Sequence, residues 1–124
     1  MKKASWISLA LCLGCVLFYS CANSKKEALN PRCDTAGTTY SAHILPVLQN
    51  TCFTCHSAGA ADALGGRRIL EGYSNLTVFV QNGLLMHAIR HESPASFMPK
   101  NGPMLDECTI ARFQAWVDAG APNN

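Results

Sequence analysis

Residues 52–56 read Cys-Phe-Thr-Cys-His, which is a C-x-x-C-H motif. Two thiols separated by two residues can add to the two vinyl groups of one porphyrin. The histidine that follows then lies next to the iron and supplies an imidazole nitrogen. The pattern therefore predicts one covalently attached haem c, bonded through Cys52 and Cys55, with His56 as an axial ligand of the iron.

Other uses of the two thiols remain open at this point. They can form a disulfide, half of a zinc site or a thioredoxin-like redox pair. Zinc needs two further ligands, and beyond residue 21 the sequence has no second C-x-x-C to supply them, although His87 and His91 are spaced to share a helix face. A redox pair favours a βαβ setting, for which the sequence shows no strong strand pattern.

The first twenty residues have the pattern of an export signal. Lys2 and Lys3 form a short positive region, and residues 4–19 are almost continuously apolar. This run is short for a membrane span and stands at the start of the chain, which predicts a secretory signal over residues 1–20. The Ser20-Cys21 step resembles a lipobox, so lipidation is expected at Cys21. Cys15 is the competing cysteine, although it would leave a very short apolar region, and an uncleaved anchor helix is the other alternative.

A polar, lysine-bearing segment follows the signal. Residues 21–31 end at Pro31 and are predicted to be a flexible tether. The folded domain is then expected over residues 32–124. Together these features predict an exported protein on the periplasmic side of a bacterial membrane, attached to the lipid membrane through acyl chains on Cys21.

The balance of charge argues against nucleic acid as a partner. The 124-residue chain has a formal net charge of +2, which Lys2 and Lys3 supply entirely. The remaining basic and acidic side chains balance, so no clustered basic face for nucleic acid is expected.

The sequence offers no paired carboxylates, no Ser-His-Asp set and no phosphate-binding glycine loop. We therefore expect neither an enzyme nor a small-molecule substrate.

Two cysteines are left once the others are assigned. Of the seven cysteines, two lie in the signal, Cys21 is the lipidation candidate, and two belong to the haem motif. Cys33 and Cys108 remain, and in an oxidising compartment they are expected to form a disulfide. Two unpaired buried thiols are the alternative.

The second axial position of the iron has several candidates. Met98 lies in a loop rich in proline and glycine and is followed directly by a proline, which suits a rigidly held thioether ligand. Met104 is the weaker loop alternative, and Met86 is better explained as helix core. A bis-histidine haem that uses His87 or His91 also stays open. Two cations have an equally open role, as partners of the haem propionates or as solvated charges: Arg90 and Lys100.

Three segments in this order resemble one known family. They are residues 40–48 with the motif at 52–56, Met98-Pro-Lys-Asn-Gly at 98–102, and Trp116-Val-Asp-Ala-Gly-Ala-Pro at 116–122. The chain from about residue 33 to residue 124 is similar to a small bacterial monohaem cytochrome c domain of the exported lipoprotein type. The resemblance implies an all-α fold wrapped around one haem, and transfer of single electrons between redox partner proteins.

The sequence departs from this family after the motif. Many members have a proline about a dozen residues on, whose carbonyl holds the axial histidine. Here that stretch contains Gly65-Gly66, and the next proline is Pro94. The group that orients His56 is therefore left open.

Two other functions compete with electron transfer. A haem enzyme or gas sensor would need an open or histidine-filled sixth position, and the third candidate is a haem-free lipoprotein held by a disulfide or by zinc. The electron donor and acceptor, the redox potential, the choice of membrane and the oligomeric state are not indicated by the sequence.

Helical patterns cover most of the predicted domain. Residues 41–50 space apolar side chains along one helix face, although Pro46 limits the regularity of the first turn. Ser74 is the predicted cap of a short helix, and Gly83 separates that helix from residues 84–91. The apolar residues expected to bury a haem or to form ordinary core are Leu45, Leu48, Leu70, Tyr73, Leu76, Val80, Leu85 and Ile89.

The last helix has the clearest signals for its ends. Asp106 is the predicted N-cap, because its short carboxylate can accept a bond from the free amides of the first turn. Gly120 is the predicted stop, since glycine adopts the left-handed conformation that ends a helix. Ile110, Phe113 and Val117 are expected on one apolar face.

Overall fold

A computed structural model describes residues 33–124 of the chain. These residues form helices joined by turns and loops, without a β-strand among them, as expected for the all-α class. None of these helices is long and apolar enough to cross a membrane. The expected signal over 1–20, the tether over 21–31 and the lipidation site at Cys21 lie outside the described residues.

The first helix is long and irregular. It consists of four consecutive segments, Tyr40–Ile44, Leu45–Val47, Leu48–Cys52 and Phe53–His56, which we together call α1. The first and third segments are π-helical turns. Pro46 has no N–H to donate to the carbonyl four residues earlier, which is a physical reason for irregular bonding here.

Two short helices follow the loop after α1. They are α2, Tyr73–Gln81, and α3, Leu84–Ile89. Gly83 separates them with a φ of 76°, as its position in the sequence predicts. The prediction that Ser74 caps α2 is wrong. The N-cap residue is Gly72, whose φ of 88° lets the chain turn sharply into the helix, and no side chain caps it.

The last helix, α4, spans Glu107–Asp118, and both predicted ends are confirmed. The Thr109 amide donates to Oδ1 of Asp106 at 2.9 Å, which is the expected N-cap bond. At the other end, the Gly120 amide donates to the Val117 carbonyl and the Ala121 amide donates to the Trp116 carbonyl. Gly120 has a φ of 87°, so the helix ends in a Schellman motif.

Packing centres on α4 and the start of α1. Trp116 and Phe113 of α4 are fully buried, whereas the predicted face residue Val117 packs only partly against the core. The indole N–H of Trp116 donates to the Pro122 carbonyl, and the hydroxyl of Tyr73 donates to the Ala121 carbonyl, which fixes the segment after α4. The other buried apolar residues of this core are Tyr40, Ile44, Leu48, Leu70, Leu76, Leu85, Ile89 and Ala121.

The start of the described chain lies against the first turn of α4. Cys33 and Cys108 are at disulfide distance, with 5.3 Å between their Cα atoms. This separation is within the range of natural disulfides. The pairing that the cysteine assignment predicts is therefore the one that the fold brings together.

Candidate functional site

His56 is the last residue of α1 and is buried, with 8% of its surface exposed. Its Nδ1 lies 2.8 Å from the carbonyl oxygen of Arg68. Because a carbonyl only accepts, Nδ1 carries the proton and donates. The other ring nitrogen, Nε2, then keeps the lone pair that a metal ligand needs. The backbone of Arg68 is thus the group that orients His56, which the sequence had left open.

The loop after α1 holds this carbonyl in place. The Leu70 amide donates to the His56 carbonyl at 2.9 Å, and the Gly65 amide donates to the Ala61 carbonyl at 3.0 Å. Gly65 lies so close to His56 that a Cβ at this position would be 2.9 Å from Nδ1 and would also meet the Cys55 carbonyl. The close approach of loop and imidazole therefore requires glycine at position 65.

A cavity of about 430 Å³ opens beside the motif. Cys52, Cys55 and His56 all border it, so both thiols and the imidazole meet the same space. Both thiols are unpaired, and burial raises the pKa of Cys52 to about 11. The predicted apolar residues that border this cavity are Leu70, Leu85 and Ile89.

A second cavity of about 320 Å³ lies next to the first. His56 and Met98 border both cavities, together with Leu70 and Leu85. Phe79 and Leu84 add apolar wall only to the second. The volumes are in the usual range of cofactor sites, roughly 300–1,000 Å³. The remaining residues of the predicted apolar set belong to the core or pack against it: Leu45, Leu48, Tyr73, Leu76 and Val80.

Among the three candidate methionines, the fold brings Met98 to the cavities. Its amide donates to the Ala88 carbonyl of α3 at 2.9 Å, which ties the loop to a helix that also borders both cavities. Met86 packs against the core, as expected for helix core. Met104 is 47% exposed. Met98 thus borders both cavities, whereas Met86 and Met104 border neither.

The remaining histidines do not border either cavity. His43 is partly exposed and its Nδ1 accepts a bond from the Thr39 amide at 3.1 Å. Nδ1 of His87 lies 3.4 Å from a carboxylate oxygen of Glu92. His91 contacts the Met98 loop instead. Within residues 33–124, the fold does not gather three or more His, Cys, Asp and Glu side chains into a possible metal site.

Two cations border the 430 Å³ cavity, Arg68 and Lys100. Arg90, the other cation considered from the sequence, donates from Nη2 to Oε1 of Gln114 on α4 at 2.9 Å. Its guanidinium therefore links two helices. Arg68 is not among the site residues predicted from the sequence. It follows His56 by twelve residues, and its contact with the imidazole runs through the backbone.

Comparison of the chain with protein-family models, with curated proteins and with solved structures finds no match.

Proposed function

We propose that the domain holds one covalent haem c with His56 and Met98 as axial ligands, and that it carries single electrons between redox partner proteins. The observation that carries this proposal is the state of His56. Its Nδ1 donates a hydrogen bond to a backbone carbonyl, which leaves the lone pair of Nε2 free. The imidazole and both thiols of the motif border the same cavity.

The chain's residues fit a haem in chemistry as well as in spacing. Cys52 and Cys55 would each add S–H across a vinyl C=C bond, which forms a thioether and releases no leaving group. Apolar side chains of α2, α3 and the loop before α2 line the space and would keep water from the ring. Arg68 and Lys100 border the cavity and would pair with the carboxylates of the haem.

Met98 completes the proposed site. When bound, the haem supplies an Fe(II)/Fe(III) couple that takes up or releases one electron. A thioether in the sixth position raises the potential of such a couple and keeps small ligands from the iron. We propose that the domain works on the periplasmic side of a bacterial membrane, tethered through a lipid on Cys21.

Covalent haem attachment tests the proposal most directly. The full chain is co-expressed with a haem-attachment system, and denatured protein is stained for haem. We expect a stained band for the wild type and none for the double variant Cys52→Ala/Cys55→Ala. Ser57→Ala changes the residue directly after the motif and is the matched control that should stain. A colourless wild type, with both sulfurs free or joined to each other, would contradict the proposal.

Carbon monoxide separates a carrier from a haem enzyme or sensor. The reduced wild type should not bind carbon monoxide rapidly at neutral pH, because Met98 fills the sixth position. Met98→Ala should bind it rapidly. Met104→Ala changes an exposed methionine that borders neither cavity and should behave like the wild type. Rapid binding by the wild type would favour the enzyme or sensor.

A further inference from the structure

His91 follows α3 and touches the loop that carries Met98 in two ways. Its Nε2 lies 3.1 Å from the carbonyl oxygen of Met98. Because a carbonyl only accepts, this nitrogen donates. The imidazole ring also stacks on the ring of Phe97, with centroids 5.0 Å apart and planes inclined by 5°.

These contacts complete a clamp on the backbone of Met98. The Met98 amide already donates to the Ala88 carbonyl, so the peptide groups on both sides of its Cα are bonded. One bond comes from the backbone of α3 and the other from the side chain of His91. With both peptide groups held, the direction in which the Met98 side chain leaves the backbone is restricted.

The left-handed backbone conformation of His91 is a second indication that its side chain has a function. The Glu92 amide donates to the His87 carbonyl and the His91 amide donates to the Ala88 carbonyl, so α3 ends in the same Schellman motif as α4. In α4 the left-handed position holds Gly120, whereas in α3 it holds His91 with a φ of 56°. A histidine in this conformation is strained, because its Cβ approaches the following carbonyl, whereas glycine has no Cβ and is not. Such a departure in a folded protein points to a local function.

We propose that His91 is a positioning residue that holds Met98 in the orientation needed for axial ligation. This inference rests on the proposed function, in which Met98 is the sixth ligand. In this role His91 makes no bond to the iron. Its role is to hold the loop through one hydrogen bond and one ring contact.

His91→Gly tests this role because it removes the side-chain contacts while the backbone can keep its left-handed conformation. Glycine relieves the strain of the left-handed conformation. If the substitution acted only through the backbone, the protein would therefore be at least as stable as the wild type. Loss of the clamp should instead weaken methionine ligation. We expect the affinity of added imidazole for the oxidised haem protein to rise about tenfold, the factor that one lost hydrogen bond can give. The methionine-to-iron(III) charge-transfer band should fall in parallel.

Two further variants sharpen the test. His91→Gln keeps an Nε2 donor that can reach the Met98 carbonyl and should return imidazole affinity toward the wild-type value. His87→Ala changes a histidine on the same helix that contacts Glu92 and borders neither cavity, and it should match the wild type.

The outcomes distinguish this inference from the function on which it rests. If the wild type shows the methionine band and His91→Gly binds imidazole no more tightly, the positioning role is overturned and the proposed function stands. If the haem-loaded wild type has no methionine band, Met98 ligation fails and the role of His91 fails with it.

Discussion

At the scale of single residues, the site depends on one backbone carbonyl and on one glycine, whose lack of a side chain leaves room for the imidazole. The carbonyl of Arg68 fixes the tautomer of His56, and Gly65 leaves the space in which loop and imidazole meet. The residue type at position 68 has no part in this bond, because every residue carries a carbonyl. A search for a particular side chain therefore does not find it, and the contact is seen only in the folded structure.

Gly65→Ala should disturb this contact. The added Cβ would lie 2.9 Å from Nδ1 of His56 and would meet the Cys55 carbonyl, so loop or imidazole must move. We expect a loss of about 1–3 kcal/mol in the free energy of unfolding, the range for overpacking a buried site. Chemical denaturation of the haem-loaded protein, followed by circular dichroism, measures this loss.

Gly59→Ala is the matched control for that experiment. Gly59 lies in the same loop, and a Cβ there would have no neighbouring atom within 4 Å. Its unfolding free energy should stay within about 0.5 kcal/mol of the wild-type value, as for most surface substitutions. Equal losses in the two glycine variants would show that the close approach at Gly65 is unimportant.

At the scale of elements, helix ends were predictable where a side chain or a glycine sets them by local chemistry. Asp106 and Gly120 act within a few residues of α4, and both predictions are confirmed. Ser74 failed because Gly72 already turns the chain at the start of α2.

The N-cap of α4 gives a prediction with a pH dependence. Asp106→Ala should lower the free energy of unfolding by about 1 kcal/mol near neutral pH, because the Thr109 amide loses its acceptor. Asp106→Asn keeps a capping oxygen and should lose less. Urea denaturation at neutral pH compares the three proteins, and equal midpoints for alanine and wild type would contradict the assignment.

The sign of the pH effect follows from the carboxylate. Hydrogen bonds from Thr109 lower the pKa of Asp106 below its ordinary value of 3.8. The stabilisation is thus present above the ordinary pKa and is lost as pH falls through the lowered, folded-state value. The stability difference between wild type and Asp106→Ala should shrink on acidification through this range. A constant difference would argue against a carboxylate cap.

At the scale of the whole molecule, the two ends of the described chain meet on the same helix. Cys33 lies against the first turn of α4 through its pairing with Cys108, and Ala121 and Pro122 fold back onto core side chains. The hydroxyl of Tyr73 and the indole of Trp116 make these last bonds. Helix α4 thus contacts both ends of the described chain, and α3, which borders both cavities, packs against it.

Removal of the Cys33–Cys108 link should lower the free energy of unfolding considerably, because the link closes a long loop. The two residues are 75 positions apart, and a cross-link closing a loop of that length contributes about 4 kcal/mol in the loop-entropy model. Cys33→Ser/Cys108→Ser should lose a stability of this order in thermal or chemical unfolding. The unreduced wild type should also be lighter by two hydrogen atoms than the reduced protein. An unreduced mass that matches two free thiols would contradict the link.

The sequence by itself determined the chemistry that depends on local order: the Cys52, Cys55 and His56 motif, the helical class and the caps of α4. The spacing of thiols and imidazole is a property of neighbouring residues, and so is a capping bond. Only the tertiary structure decided which methionine meets the cavities, which carbonyl orients His56 and which histidine contacts the Met98 loop. These contacts join residues from separate elements, and their distances depend on how α3 and the flanking loops pack.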